Sequence, residues 1–283
     1  MEAVVARKTW RTVEPVHGIV YFAPERDEIY DRLGLRRDQS YFVARAAAMG
    51  TVPPEVVIAT FFNFRPDFVR RAMVDAWEIT SPSNVLAARL DVVDRVLQRL
   101  LGDAARSEDV AEAASLARRA AERAAERPEG RPLFAGHASL PWPDESDPHL
   151  VLWHAQTLLR EFRGDAHIAA MTAEGVGGCE ALVIHAATGE VPASVLRSSR
   201  SWSRDEWDAC VEALRSRGWL DGDGGLTADG RSHRERVEAL TDERSTYAYE
   251  AIGDDGCDRL RTLARPLSKA IVASGELGFR APG

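Results

Sequence analysis

The chain has 283 residues, enough for one large or two ordinary domains, and 45% of them are hydrophobic, the proportion of a globular protein with a sizeable core. Its 44 acidic and 36 basic side chains leave a net charge of −8, which argues against a generic nucleic-acid binder, since neutralised phosphates supply most non-specific affinity. No stretch approaches the ~18 uninterrupted apolar residues of a membrane helix, the N-terminus lacks the apolar run of a signal peptide, and Cys179, Cys210 and Cys257 are too scattered for a disulfide framework or a zinc knuckle. The expected compartment is the reducing cytoplasm.

In chain order the first half reads as helix after helix. Pro15 suits a first helical position. Glu25 to Leu33 is a short helix stopped by Gly34. Ser40 opens a helix through YFVARAAAM that stops at Gly50. Pro53 and Pro54 open EVVIATFFNF, which Arg65-Pro66 breaks, and Val69 to Trp77 reads as a further helical segment. Ser81-Pro82 is a cap followed by proline. The helix it starts carries Val85, Leu86, Leu90, Val93, Val96, Leu97, Leu100 and Leu101 on one broad apolar face and ends at Gly102. Ser107 caps the next, whose apolar positions (Val110, Ala113, Ala114, Ala117, Ala124) are mostly small and allow another helix to approach closely.

Residues 128–148 hold five Pro and two Gly without sustained periodicity and read as a connection, packed through Leu140 and Trp142. Beyond it comes a helix over Leu150–Glu174, ended by Gly175, Gly177 and Gly178. The segment from Ser201 is the most legible in the chain. Ser203 and Glu206 have capping-box spacing, with Trp202 and Trp207 placed as a hydrophobic staple. Gly218 is a left-handed stop, Trp219-Leu220 and Leu226 read as two short strands around the turn 221–225, and Thr227 caps another helix. Ser245–Ala251 and Cys257–Val272 complete the helices.

Helix, two-stranded wing, Leu-Thr, helix is the order of a winged helix-turn-helix. The phrase ALRSRGWL (213–220) with GGLTADGR (224–231) resembles the recognition-helix-to-wing segment of MarR-like regulators. The whole chain resembles a family of actinobacterial helix-turn-helix proteins. It shares with them the order of HGIVYFAPE (17–25), YFVARAAAMG (41–50), LLREFRGDAH (158–167) and the wing. The resemblance implies a mainly α fold: a helical N-terminal half, 1–127, the connection 128–148, and a MarR-like winged-helix half, 149–283, with a short two-stranded wing near 219–227. It implies a fold more than an activity.

Three groups of residues could carry chemistry. On the helix 150–174, His154, Glu161 and Asp165 line one edge of the apolar face, while Arg160, Arg163 and His167 project together at i, i+3, i+7. We expect the Arg160–Arg163–His167 face to hold an anionic ligand, since guanidinium groups bind carboxylate or phosphate bidentately, and the carboxylate face to pair with other helices. His17, Tyr21 and Glu25 are spaced four apart and share a face if the helix is continuous through Pro24. Arg45, in a mostly apolar helix, needs a buried carboxylate or an anionic ligand. A metal site is not expected, because no HExxH-type spacing occurs and no Cys accompanies the histidines; no cofactor is named.

The DNA face would be the helix after Ser203 together with Arg197, Arg200 and Arg204. Its outward positions, Arg204, Asp205, Asp208, Glu212 and Arg215, are more acidic than basic, and Asp221 and Asp223 stand where MarR-like regulators place a basic wing residue. Charge therefore argues against DNA while the resemblance argues for it. The expected function is a cytoplasmic MarR-like protein binding a small molecule between the halves, as a transcriptional regulator with weak DNA affinity and a homodimer. The alternatives are an enzyme on the same scaffold, using His17, His154, Glu161, Asp165 or His167 as acid–base groups, and a structural, dimerising module.

Overall fold

A computed structural model describes residues 1–277. The first helix, α1 (Ala3–Gly18), starts well ahead of Pro15, which lies inside it. A proline near a helix end forfeits one hydrogen bond, and the buried stripe Ala6, Thr9, Val13, Val16 and His17 holds the turn together. α2 (Glu25–Asp31) follows, and α3 (Arg37–Ala46) begins three residues before Ser40. The Gln39 side chain caps it by accepting from the Arg36 N–H at 3.0 Å, and the Ser40 hydroxyl donates to the Arg37 carbonyl.

α4 (Pro54–Thr60) and α5 (Pro66–Met73) each open on a proline, and α6 (Ala76–Ile79) is a single turn. Ser81 and Ser107 cap α7 (Pro82–Leu101) and α8 (Glu108–Ala125) as their spacing predicts, accepting from Asn84 N and Val110 N. The proline-rich connection contains α9 (Pro132–Ala138), too short to show a period. The Asp165 carboxylate caps it from another helix, accepting from the Phe134 N–H at 3.0 Å. α10 (Pro148–Ala173), α11 (Gly178–Ala186), α12 (Ala193–Ser199), α13 (Arg204–Ser216), α14 (Ala228–Tyr249) and α15 (Gly253–Ala273) complete the order. The expected separate segment 245–251 is largely the end of α14.

The mainly α class holds, but the two-stranded wing does not. Among the described residues there is no strand, only one antiparallel bridge between Leu220 and Leu226. Local geometry explains why. Gly218, at φ +73°, ends the turn after α13, and Thr227 already caps α14 by accepting from the Gly230 N–H at 3.0 Å. Between them the Asp221 carboxylate holds a tight turn, accepting from Asp223 N at 3.0 Å and Gly225 N at 2.8 Å. One residue pair is all the ladder that fits. Gly230 is required for the same compactness, since a Cβ there would strike the Trp219 carbonyl.

The chain forms two compact units, each assembled from separate stretches. The first takes residues 1–51, 75–165 and those from 242 on; the second takes 52–74 and 166–241. In the first, α1 packs along α15, α15 also packs on α8, and α7 carries α2 and α3. The buried alanines of α8 (113, 114, 117, 120, 121, 124) let α15 approach, as their size implies. In the second, α11 packs on α12 and α13 over a core that includes Leu182, Val183, Leu196, Trp207, Leu214 and Trp219. Gly178 allows α11 to meet the chain at Phe62, where a Cβ would land on the carbonyl oxygen.

Candidate functional site

The first unit encloses a polar network built from five helices. α1 supplies Glu14 and His17, the turn after it Tyr21, α3 Tyr41 and Arg45, α7 Arg89, α9 His137, and α10 Trp153, His154, Thr157, Arg160 and Glu161. His17 is fully buried. Its Nδ1 lies 3.0 Å from Thr157 Oγ1 and its Nε2 lies 3.0 Å from the Tyr21 hydroxyl. Thr157 donates to the Trp153 carbonyl at 2.9 Å, so it accepts from His17 Nδ1–H. That assigns the tautomer: Nε2 accepts from Tyr21, whose oxygen in turn accepts from Arg89 at 3.1 Å. Burial, helped by the charges of Arg160, Arg89 and Arg45, holds the imidazole well below its ordinary pKa, so it is neutral. Burial likewise raises the Tyr21 phenol.

Arg45 meets the buried carboxylate that its apolar helix requires. Its guanidinium donates to Glu161 Oε1 at 3.0 Å, and Arg160 donates to Glu161 Oε2 at 2.7 Å. Burial alone would raise the Glu161 carboxyl, but Arg160 and Arg45 outweigh it and keep it well below the usual carboxylate range. Arg89 is different. It is 1% exposed and donates to the Ala44 carbonyl at 3.1 Å and to Tyr21, with His137 Nε2 3.4 Å away. Its Nε has no hydrogen-bond partner, and it forms no ion pair among the described residues. The guanidinium lies over Trp153, 5.1 Å from the ring centroid. The network therefore holds three guanidinium groups, two of them on Glu161, while burial pushes the nearby Glu14 carboxyl up to about 7. Tyr21, Tyr41 and Arg160, all half-buried, carry the network to the surface.

His154 is also buried; its ring meets Trp142 edge-on at 4.8 Å, and its Nε2 has no partner. Burial and Arg89 push its pKa down to about 4. The structure thus gathers His17, Tyr21, Arg45, Arg160 and Glu161, with His154 near Arg89. It does not gather Arg160, Arg163 and His167 on one wall. Arg163 is buried, bonds Asp242 at 2.7 Å and lies over Trp10. His167 bonds the Thr241 hydroxyl at 2.9 Å in the second unit. Asp165 is engaged by α9, and burial pushes its carboxyl up to about 6. Sequence reasoning missed Arg89 and His137. Arg89 was findable: it interrupts the Val85, Val92, Val93, Val96 stripe of α7 at helical spacing. His137 lies on a helix too short to show a period.

In the second unit α11, α12 and α13 form three consecutive helices, with residues 200–203 as the turn before α13. The Ser203 cap is present: its hydroxyl accepts from Glu206 N at 3.2 Å, and the Glu206 carboxylate accepts from Ser203 N at 2.9 Å. The Ser203 hydroxyl also donates to Glu206 Oε2 at 2.6 Å, and that bond, the Ser203 N–H and Arg65 hold the Glu206 carboxyl down at about 2. The stretch 52–74 braces this turn. The Trp202 indole donates to the Asn63 carbonyl at 2.9 Å, the Arg65 N–H to the Arg200 carbonyl at 3.0 Å, and Arg65 Nε to Glu206 at 2.9 Å. Arg204 is exposed beside Asp208, and Arg197 is half-buried. Arg200 is half-buried over Phe64 and bonds Ser199. Asp205, Asp208 and Glu212 are exposed on the same helix, and Arg215 is tied back to the carbonyls of Asp221 and Gly222.

No single helix among the described residues is long and apolar enough to cross a membrane. No curated protein and no solved structure matches the chain. A family model described as a helix-turn-helix family matches residues 6–278, and the chain belongs to that family.

Proposed function

We propose that the chain is a cytoplasmic transcriptional regulator that touches DNA weakly through α12 and α13. The observation that carries this reading is the α11–α12–α13 arrangement in a chain of this family, with α13 capped by Ser203 and flanked by Arg197, Arg200 and Arg204. The exposed acids of α13 limit the affinity, since each sits where a phosphate would approach. Fluorescence anisotropy on fragments flanking the gene should give micromolar, steeply salt-dependent binding that Arg197→Ala and Arg200→Ala weaken. Specific binding tighter than about 100 nM at physiological salt, the range of strong regulators, overturns the charge argument; no binding even at low salt overturns the DNA reading. Pairing of two copies over two half-sites belongs to this reading, and light scattering with and without DNA tests it.

Arg89 favours a second element, a small anionic ligand received by the first unit. A buried guanidinium without a carboxylate is unfavourable unless an anion joins it. The ligand would enter beside Tyr21, Tyr41 and Arg160 and share Arg89 and Arg45 with the network. A thermal-shift screen of carboxylates and organic phosphates tests this: wild type is stabilised by at least one anion, and Arg89→Gln loses that response while Arg163→Gln keeps it. A response that survives Arg89→Gln places the ligand elsewhere. The enzyme reading is weaker, because both nitrogens of His17 are engaged and its neighbours Tyr21 and Thr157 are themselves bonded.

A further inference from the structure

The first unit has an open cleft of about 370 Å³ lined by Arg127, Glu129, Arg131, Phe162, Glu243, Arg244 and Tyr247. The guanidinium groups that line it are unlike most in this chain. Among the described residues, Arg127, Arg131 and Arg244 form no ion pair, although exposed arginines elsewhere usually do, as Arg95, Arg99 and Arg259 show. Two of the three are already immobilised. Arg127 lies over Tyr247, 3.6 Å from the ring centroid, and Arg131 lies over Phe162 at 3.8 Å. Arg131 also donates to the Arg244 carbonyl at 3.1 Å, and its Nε is buried with no partner. Burial lowers the Arg131 pKa, Asp165 and Glu129 oppose that shift, and the neighbouring Arg244 charge adds to it.

A guanidinium stacked on an aromatic face keeps its N–H edge free for bidentate bonds to an oxyanion. Holding it there in advance removes most of the rotamer entropy that binding would otherwise cost. Two such groups, with the exposed Arg244 beside them, match the three equivalent oxygens of a phosphate. Glu129 and Glu243, which form no ion pair among the described residues, accept hydrogen bonds and suit hydroxyl groups. The volume is at the small end of ligand pockets. We propose that this cleft binds a small phosphorylated polyol, with its phosphate on Arg127, Arg131 and Arg244 and its hydroxyls on Glu129 and Glu243. The cleft uses none of the residues on which the function proposed above rests, so it stands or falls independently of that function.

Isothermal titration of the full chain with ribose 5-phosphate, inorganic phosphate, ribose and a short DNA duplex tests it. Ribose 5-phosphate should bind, inorganic phosphate at least tenfold more weakly, and ribose not at all. Arg131→Gln and Arg244→Gln should each weaken ribose 5-phosphate at least tenfold, and Glu243→Gln should weaken it while leaving inorganic phosphate unchanged. Arg244 is exposed, so its variant keeps the fold, which an unchanged circular dichroism melt confirms. The proposal is overturned if neither phosphate binds, if the two bind equally, if Arg244→Gln leaves binding intact, or if the duplex displaces ribose 5-phosphate, which would make the cleft a DNA contact.

Discussion

The first unit buries a set of its charged side chains, Arg45, Arg89, Glu161, Arg163, Asp165 and Asp242, whereas among the described residues the second unit buries no Arg, Lys, Asp or Glu. Arg45 and Glu161 are 7% and 2% exposed at their side chains; Arg204 and Asp208, paired at 3.9 Å on α13, are 84% and 66% exposed. The residue types are the same and the energetic meaning is not. In water an ion pair of the second kind contributes almost nothing, because solvent screens it and two long side chains must be held still. A pair of the first kind has already lost its hydration, so removing either partner strands the other. Position in the fold, more than charge count, decides which ionisable residues matter.

The comparison is broken most directly at Glu161. Glu161→Gln leaves Arg45 and Arg160 without their shared anion and should destabilise the protein by about 3–5 kcal/mol, read from urea unfolding. A loss under about 1 kcal/mol would mean that water reaches the pair and that the two regions do not differ as argued.

Acid should separate the regions next. The folded pKa of His154, about 4, lies below its ordinary value of 6.5. The unfolded chain therefore takes up the proton first as pH falls. The contribution of His154 is intact above pH 6.5 and is lost between 6.5 and 4, by an amount on the order of 2–3 kcal/mol. Glu14 and Asp165, whose folded values are raised, act in the opposite sense. The clean measurement is the difference between wild type and His154→Gln across that window, in which those two groups cancel. A difference that does not change with pH would show that His154 takes up its proton in the fold at the same pH as in the unfolded chain.

How much of this contrast the sequence discloses follows the range of the interactions involved. The Ser203–Glu206 cap, the Ser81 and Ser107 caps and the stop at Gly218 are local, fixed by residues a few positions apart, and all are legible. Arg45 announces its need for a partner by standing in an apolar helix, but not that the partner is Glu161, 116 residues away. The wing fails for a related reason: the strand signal at Trp219-Leu220 and Leu226 is real, yet the turn and the Thr227 cap leave room for one bridge. Nothing local shows that 52–74 braces the turn before α13, because that contact depends on Asn63 and Arg65 meeting residues 200–206. The histidine network is partly legible through His17 and Tyr21. Its Arg89 and His137 members require knowing which helix faces which.

Ser203→Ala sharpens the comparison from the second unit's side. The Ser203 hydroxyl is exposed and itself uncharged, so its loss should cost about 1 kcal/mol, the ordinary value for an N-cap, with little dependence on salt. The same change in thermal midpoint at low and high salt is expected. A strongly salt-dependent loss would mean that the Arg65–Glu206 pair, rather than the serine hydroxyl, holds the start of α13.

The smallest effect is expected at Arg204, and there the two regions should diverge in kind. Arg204→Ala removes a side chain that touches only the exposed Asp208, so stability should move by less than about 0.5 kcal/mol. Its contribution would appear only against DNA. If the Arg204 guanidinium meets a phosphate, the slope of log affinity against log salt should fall by about one, with binding weakened on every sequence alike. Neutralising a neighbour, with Asp208→Asn, should strengthen binding on the same plot by relieving repulsion at the next turn of α13. If Arg204→Ala leaves the slope unchanged while Arg197→Ala lowers it, the DNA-facing edge runs along α12 rather than the start of α13. If neither changes it, the exposed charges of this unit are solvated surface and the family resemblance is carried by fold alone.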